Sequence, residues 1–130
     1  MSAKPIGRGE LEILNYVHER HPITVRQVAD ELGQAKGVVR TTVLNVMTRL
    51  VQKGFLARRK EDGVFVYRPR VPKTRVMRDL VRDFVDKSLE GSVSPFMAYL
   101  AEDARLSEED VQRLRDLVKS LDDRARKERR

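Results

Sequence analysis

The run TTVLNVMTRLVQKGFLARRKEDGVFVYRPR, residues 41–70, changes its hydrophobic period at a single glycine. Before Gly54, the residues Val43, Val46, Met47 and Leu50 fall within an arc of about 100 degrees when successive residues are set about 100 degrees apart. After it, Phe55-Leu56-Ala57 leads into Arg58-Arg59-Lys60, and Glu61-Asp62-Gly63 separates this from Val64-Phe65-Val66-Tyr67. Asp-Gly between β-rich segments is a strong hairpin signal, because a two-residue turn of the matching twist needs positive φ at both positions. The spacing predicts a helix over about 41–53, stopped by Gly54, and then a basic two-stranded hairpin closed by Pro69. One side of that helix can bury in a small module. The other offers short hydrogen-bonding groups and very little apolar area.

Upstream, Leu11, Leu14 and Val17 recur at helical spacing with Ile13 beside them, which predicts a helix over about 10–20 that stops before Pro22. Ile23 is a candidate for a very short strand. Thr24 followed by Gln27 has the capping-box pattern, in which each side chain bonds the other's backbone N–H. Val25, Val28, Ala29 and Leu32 form the buried side of that second helix, and Gly33 is its expected stop. Residues 34–40 connect to the third helix, with Gly37 supplying backbone freedom. Three short helices followed by a hairpin describe a mostly α fold of the winged-helix type.

A helix that enters a major groove needs a buried rear and a front whose side chains meet base edges and phosphates. Thr41, Asn45, Thr48 and Gln52 lie opposite the apolar arc, with Thr42 and Arg49 on one flank. Asn45 can offer a bidentate amide to adenine, and Thr41, Thr42 and Thr48 can bind phosphate or touch a thymine methyl. These four are the expected base-facing residues. Arg49, Lys53, Arg58, Arg59, Lys60 and Arg68 are expected to neutralise phosphates from the helix end and the wing. Charge agrees with this division. Residues 1–70 hold 13 basic against 7 acidic side chains, whereas 71–123 hold 9 against 12, within a whole-chain balance of +7. The same threonines also fit a merely solvated helix face, so their arrangement beside a basic hairpin carries the reading, not any one residue.

Val71-Pro72 marks the boundary between a DNA-binding domain over 1–70 and a helical domain over 71–123. Met77, Leu80, Val81, Phe84 and Val85 make a broad apolar side on a helix over about 74–89, ended by Gly91. Ser94-Pro95 starts a short apolar helix containing Leu100. Ser107 and Asp110 cap a last helix striped by Val111, Leu114, Leu117, Val118 and Leu121. Three helices in so short a segment bury little alone. Met77, Leu80, Val81, Phe84, Leu100 and the five stripe residues of the last helix are therefore the expected homodimer interface. The competing arrangement is an isolated three-helix bundle packed on the winged helix. The end, RARKERR over 124–130, reads as a frayed or disordered basic tail.

With no cysteine, disulfides and thiolate metal sites are excluded. Dinucleotide-binding, P-loop, HExxH and nucleophile-elbow patterns are all missing, so neither catalysis nor a cofactor is expected. His18 and His21 are the only histidines and read as solvent-facing residues at a helix end rather than metal ligands. No apolar secretion segment or bilayer-length run is seen, which leads to an intracellular, cytoplasmic expectation without a membrane partner.

Taken in order, GELEIL, ITVRQVADEL, TTVLNVMTRLVQKGFL, KEDGVFVYRP and LSEEDVQRLRDLV resemble the penicillinase-repressor family of BlaI and MecI type, from about Gly7 to Leu121. The resemblance implies a homodimeric winged-helix repressor on a palindromic double-stranded DNA operator. The family's helix pattern falls on Thr42, Arg49, Leu50, Lys53 and Gly54, with Leu50 a packing residue. Asn45 stands where the family has a second threonine. In the antibiotic-responsive branch a protease cuts an Asn-Phe bond before the last helix. The corresponding bond here is Tyr99-Leu100, which lacks both residues of that pair. The copper-responsive branch uses cysteines that this chain does not possess. The alternative to a specific repressor is a non-specific DNA-architectural or protein-interaction module.

Overall fold

Leu14, Val17, Val28, Val43, Met47, Leu50, Leu56 and Tyr67 are all fully buried, and together they join three helices to a hairpin. The structure is a computed structural model that describes residues 6–129. Its first elements are α1 (Arg8–Arg20), α2 (Val25–Lys36), α3 (Arg40–Gln52), β1 (Leu56–Glu61) and β2 (Val64–Pro69). The two strands pair antiparallel from Leu56↔Pro69 to Glu61↔Val64. Asp62 (φ 51°) and Gly63 (φ 81°) make the two-residue turn between them, as the Asp-Gly signal requires. Ile23 bridges Tyr67, with N–H to carbonyl bonds of 3.2 and 2.8 Å in the two directions. This is the short third strand expected from the sequence, and it ties the α1–α2 connection to the base of the wing.

Two glycines set the directions of the helices. At the end of α3, Gly54 takes φ 87°, Phe55 N–H donates to the Leu50 carbonyl and Gly54 N–H to that of Val51. This Schellman arrangement places Phe55 and Leu50 together in the core. Gly33, by contrast, does not end its helix. α2 runs one turn further to Lys36, and Gly37 (φ 69°) is the left-handed cap, its N–H bonded to the Gly33 carbonyl. A Cβ on Gly33 would lie 2.8 Å from the Val38 carbonyl oxygen, so this glycine admits the chain returning toward α3.

The chain divides into two compact units at Phe84/Val85. α4 (Lys73–Asp83) belongs to the first unit. Its Val76 is buried in that unit's core, and Leu80 and Val71 pack against the same cluster. Leu80 is thus half-buried against the first unit's core. Val81 and Phe84 lie on the exposed side of this region, each 50% exposed, and Met77 is half-buried. A π-helical turn, Phe84–Ser88, follows α4.

The second unit contains α5 (Ser94–Glu102) and α6 (Glu108–Glu128). The reciprocal Ser107–Asp110 capping box is present, with bonds of 3.0 and 3.3 Å. α6 continues to Glu128 through most of the segment expected to be a frayed tail. Its Ala, Arg, Lys and Glu content favours helix, and Arg126 and Lys127 complement the negative end of the helix dipole. Neither α5 nor α6 has a fully buried residue. Among the described residues, no helix is long and apolar enough to cross a membrane.

Candidate nucleic-acid interface

α3 has its rear committed to the core through Val43, Val46, Met47 and Leu50, and this orients the remaining side chains. Thr41, Thr42 and Asn45 are exposed, and Thr48 is half-buried. Thr42 stands on the flank, where it lines a cleft of about 350 Å³ with Ile13, Val43 and Arg49. The expected base-facing group therefore divides into two well-exposed central residues, one flank residue and one partly covered residue. Arg40, at the exposed start of α3, was missing from the expectation, as was the 45% exposed Leu44. The available signal for Leu44 was its angle on the helix wheel, outside the arc of the four buried residues.

The C-terminal end of α3 is held by a carboxylate that sequence reasoning missed. Glu10, nearly buried on α1, accepts from Lys53 Nζ at 2.8 and 3.0 Å and from Arg49 Nε at 3.4 Å. Its Oε1 also accepts from Gly7 N–H at 2.8 Å, so the same side chain closes the first turn of its own helix. Burial pushes the Glu10 carboxyl up. Hydrogen bonds from Lys53 and Gly7, attraction to Lys53 and the bond from Arg49 outweigh that, leaving it below the ordinary carboxylate range. Lys53 was expected to face phosphate, but its side chain is only 21% exposed and its ammonium lies on Glu10. Arg49 is different: its side chain is 53% exposed while Nε faces Glu10.

On the wing, pairing register sorts the cations. Arg58 and Lys60 share a sheet side with Phe65, because directly opposite residues point the same way. The Arg58 guanidinium stacks 4.5 Å from the Phe65 ring centre, and the Lys60 ammonium lies 5.8 Å from it. Arg59 and Arg68 lie on the other side. Arg68 pairs with Glu61 at 3.3 Å, whereas Arg59 is exposed and in no ion pair among the described residues. Thus Arg58, Arg59 and Lys60 form the wing's presented charge, and Arg68 is paired with Glu61.

His18 departs from the solvent-facing expectation. It is half-buried, with Nε2 covered and unpartnered, and burial followed by the nearby Lys73 and His21 charges lowers its pKa. No group of three or more potential metal-binding side chains converges among the described residues. The Tyr99–Leu100 bond lies within α5, and the Tyr99 carbonyl accepts from both Asp103 and Ala104 N–H, at 3.0 and 2.9 Å.

A polar-fronted third helix, a basic hairpin and a one-residue bridging strand define a winged-helix protein. Within that class, residues 6–120 match the model of the penicillinase repressor family, and the chain belongs to it. It is 23% identical over 113 residues to the methicillin resistance regulatory protein MecI of Staphylococcus aureus (strain N315), covering 87% of this chain and 92% of that one. Over a stretch of the same length it is 25% identical to the penicillinase repressor of Bacillus licheniformis, covering 87% and 88% of the two chains. The solution structure of the DNA-binding domain of the repressor BlaI superposes with a TM-score of 0.51 at 29% identity, over 56% of this chain and 89% of that one. Bacillus licheniformis BlaI, in its monomeric form in complex with the blaP half-operator, gives a TM-score of 0.50 at the same identity and coverage.

Proposed function

We propose that this protein is a homodimeric, sequence-specific transcriptional repressor that holds a palindromic operator through α3 and the wing. The observation that carries the proposal is the outward row of Thr41, Asn45 and Thr48 on a helix whose rear is fully packed, set beside Arg58, Arg59 and Lys60. The base edges are read by Asn45 and the threonines, with Thr42 at the flank. Phosphates are met by Arg49 and the wing cations, which fix register and give most of the salt-dependent affinity. The likeness to a repressor domain studied on a half-operator supports this use of the fold.

Dimerisation is supported by the second unit itself. Val111 and Leu114 are only half-buried, and Leu117, Val118 and Leu121 are exposed, although all five share one helix stripe. Met97 and Tyr99 on α5 are exposed as well, and Leu100 is half-buried. A second copy offering the same stripes is the simplest cover for them. Two coupled recognition helices then read an inverted repeat.

Selection from randomised duplexes, followed by binding over a salt series, tests the reading. An inverted repeat with half-site centres about one helical turn or a multiple apart is expected. With three or four phosphates met per protomer, affinity should fall roughly 10³- to 10⁵-fold between about 50 and 200 mM salt. Equal binding to selected and scrambled duplexes would instead indicate an architectural or protein-interaction module.

A further inference from the structure

We infer that Leu44 is a specificity-determining residue that reads the 5-methyl group of a thymine in each half-site; this rests on the DNA-binding role proposed for α3. The fold does not need Leu44. Its neighbours Val43, Val46, Met47 and Leu50 fill the core, while Leu44 is 45% exposed. At about 100 degrees per residue it lies about 40 degrees from Thr48 and about 60 degrees from Thr41 on the same helix. It is therefore an apolar side chain set among the polar groups of the outward face, one turn beyond Arg40.

A lone exposed leucine is ordinary on a protein surface. Its position in the middle of a helix that meets base edges changes what it can do. Leu44 can neither donate nor accept a hydrogen bond, so a polar base edge placed against it would lose water without a replacement partner. The major groove offers one apolar feature, the thymine C5-methyl, which an aliphatic side chain covers favourably. Arg40 and Thr48, one turn to either side, have the chemistry to hold phosphate or polar base edges while Leu44 covers the methyl. The flanking residues thus set register, and Leu44 discriminates thymine from cytosine at one position.

The test uses the full chain and duplexes selected by it. Each thymine of the selected site is replaced in turn by deoxyuridine, which keeps every hydrogen-bonding group and removes only the methyl. One position per half-site should lose about four-fold in affinity, the effect of withdrawing one buried methyl-sized group. Leu44→Ala, at an exposed helical position, should bind the thymine and deoxyuridine duplexes equally at that position while keeping the remaining sequence preferences. 5-Methylcytosine there should recover part of what unmodified cytosine loses. A flat deoxyuridine scan with the wild-type chain overturns the role of Leu44 even though the DNA-binding reading survives. So does a Leu44→Ala scan identical to the wild type. Failure of the wild-type chain to select any sequence overturns both readings.

Discussion

Lys53 donates to both carboxylate oxygens of Glu10, 43 residues away in sequence, and so locks the C-terminal end of α3 onto α1. Glu10 is nearly buried and also accepts from Arg49 and from Gly7 N–H. One carboxylate thereby positions α3, orients a half-exposed arginine on it and caps its own helix. Glu10→Gln should lower unfolding stability by about 1–3 kcal/mol at neutral pH, since a charge-assisted network becomes a neutral one beside two remaining cations. Thermal melts of the two proteins measure it.

The pH dependence of that difference has a definite sign. Because the folded-state pKa of Glu10 lies below its ordinary value of 4.5, the contribution is fully present above that value and is lost as pH falls through the folded pKa. Wild type and Glu10→Gln should converge in stability at strongly acidic pH. His18 adds an earlier acid loss. Its lowered pKa means that the unfolded chain binds a proton more readily, so stability falls as pH drops below its ordinary 6.5 and on through the folded value. His18→Gln should flatten the upper part of the acid profile and leave the lower part in place, as equilibrium denaturation across pH would register.

Salt-dependent binding separates cations that the sequence alone groups together. Arg59→Ala should weaken binding to all duplexes alike and reduce the slope of log affinity against log salt by about 1 per protomer, so by about 2 for a bound dimer. Lys53→Ala should act mainly on folding, leaving the slope nearly unchanged, because its ammonium is engaged with Glu10. Asn45→Ala should cost about 1–3 kcal/mol of discrimination at a single base pair. Equilibrium titrations of the three variants over a salt series, on selected and scrambled duplexes, distinguish these outcomes.

The contrast between Lys53 and Arg59 reflects what one sequence can show. Local signals were legible: the Thr24–Gln27 box, the Gly54 stop and the Asp62-Gly63 turn each depend on neighbours within a few positions. What escaped depends mostly on how the folded chain packs. Gly33 looked like a helix end because glycine often is one, but its requirement comes from the Val38 carbonyl crossing over it. Glu10 carries no periodic signal that would associate it with Lys53. Val76 sits one residue before Met77 in an apolar helix, and only the packing of α4 decides which of the two is buried. The helical continuation over 124–128 follows from residue types that favour helix.

α4 presents two apolar edges with different work, and substitution should separate them. Val76 is buried with Leu80 packed on the same core, so Val76→Ala should destabilise the first unit by about 1–3 kcal/mol, the transfer loss plus any cavity left behind. It should do so whatever the association state. Phe84, by contrast, is 50% exposed, so a charge there has little to disrupt within the chain. If Phe84 belongs to the subunit interface, Phe84→Asp should leave the melt of the winged-helix unit close to wild type while shifting sedimentation toward monomer. Operator affinity should fall with it, because a single recognition helix no longer gains from a tethered partner. Sedimentation that stays dimeric in Phe84→Asp removes Phe84 from the interface and leaves the α5 and α6 stripes to hold it alone.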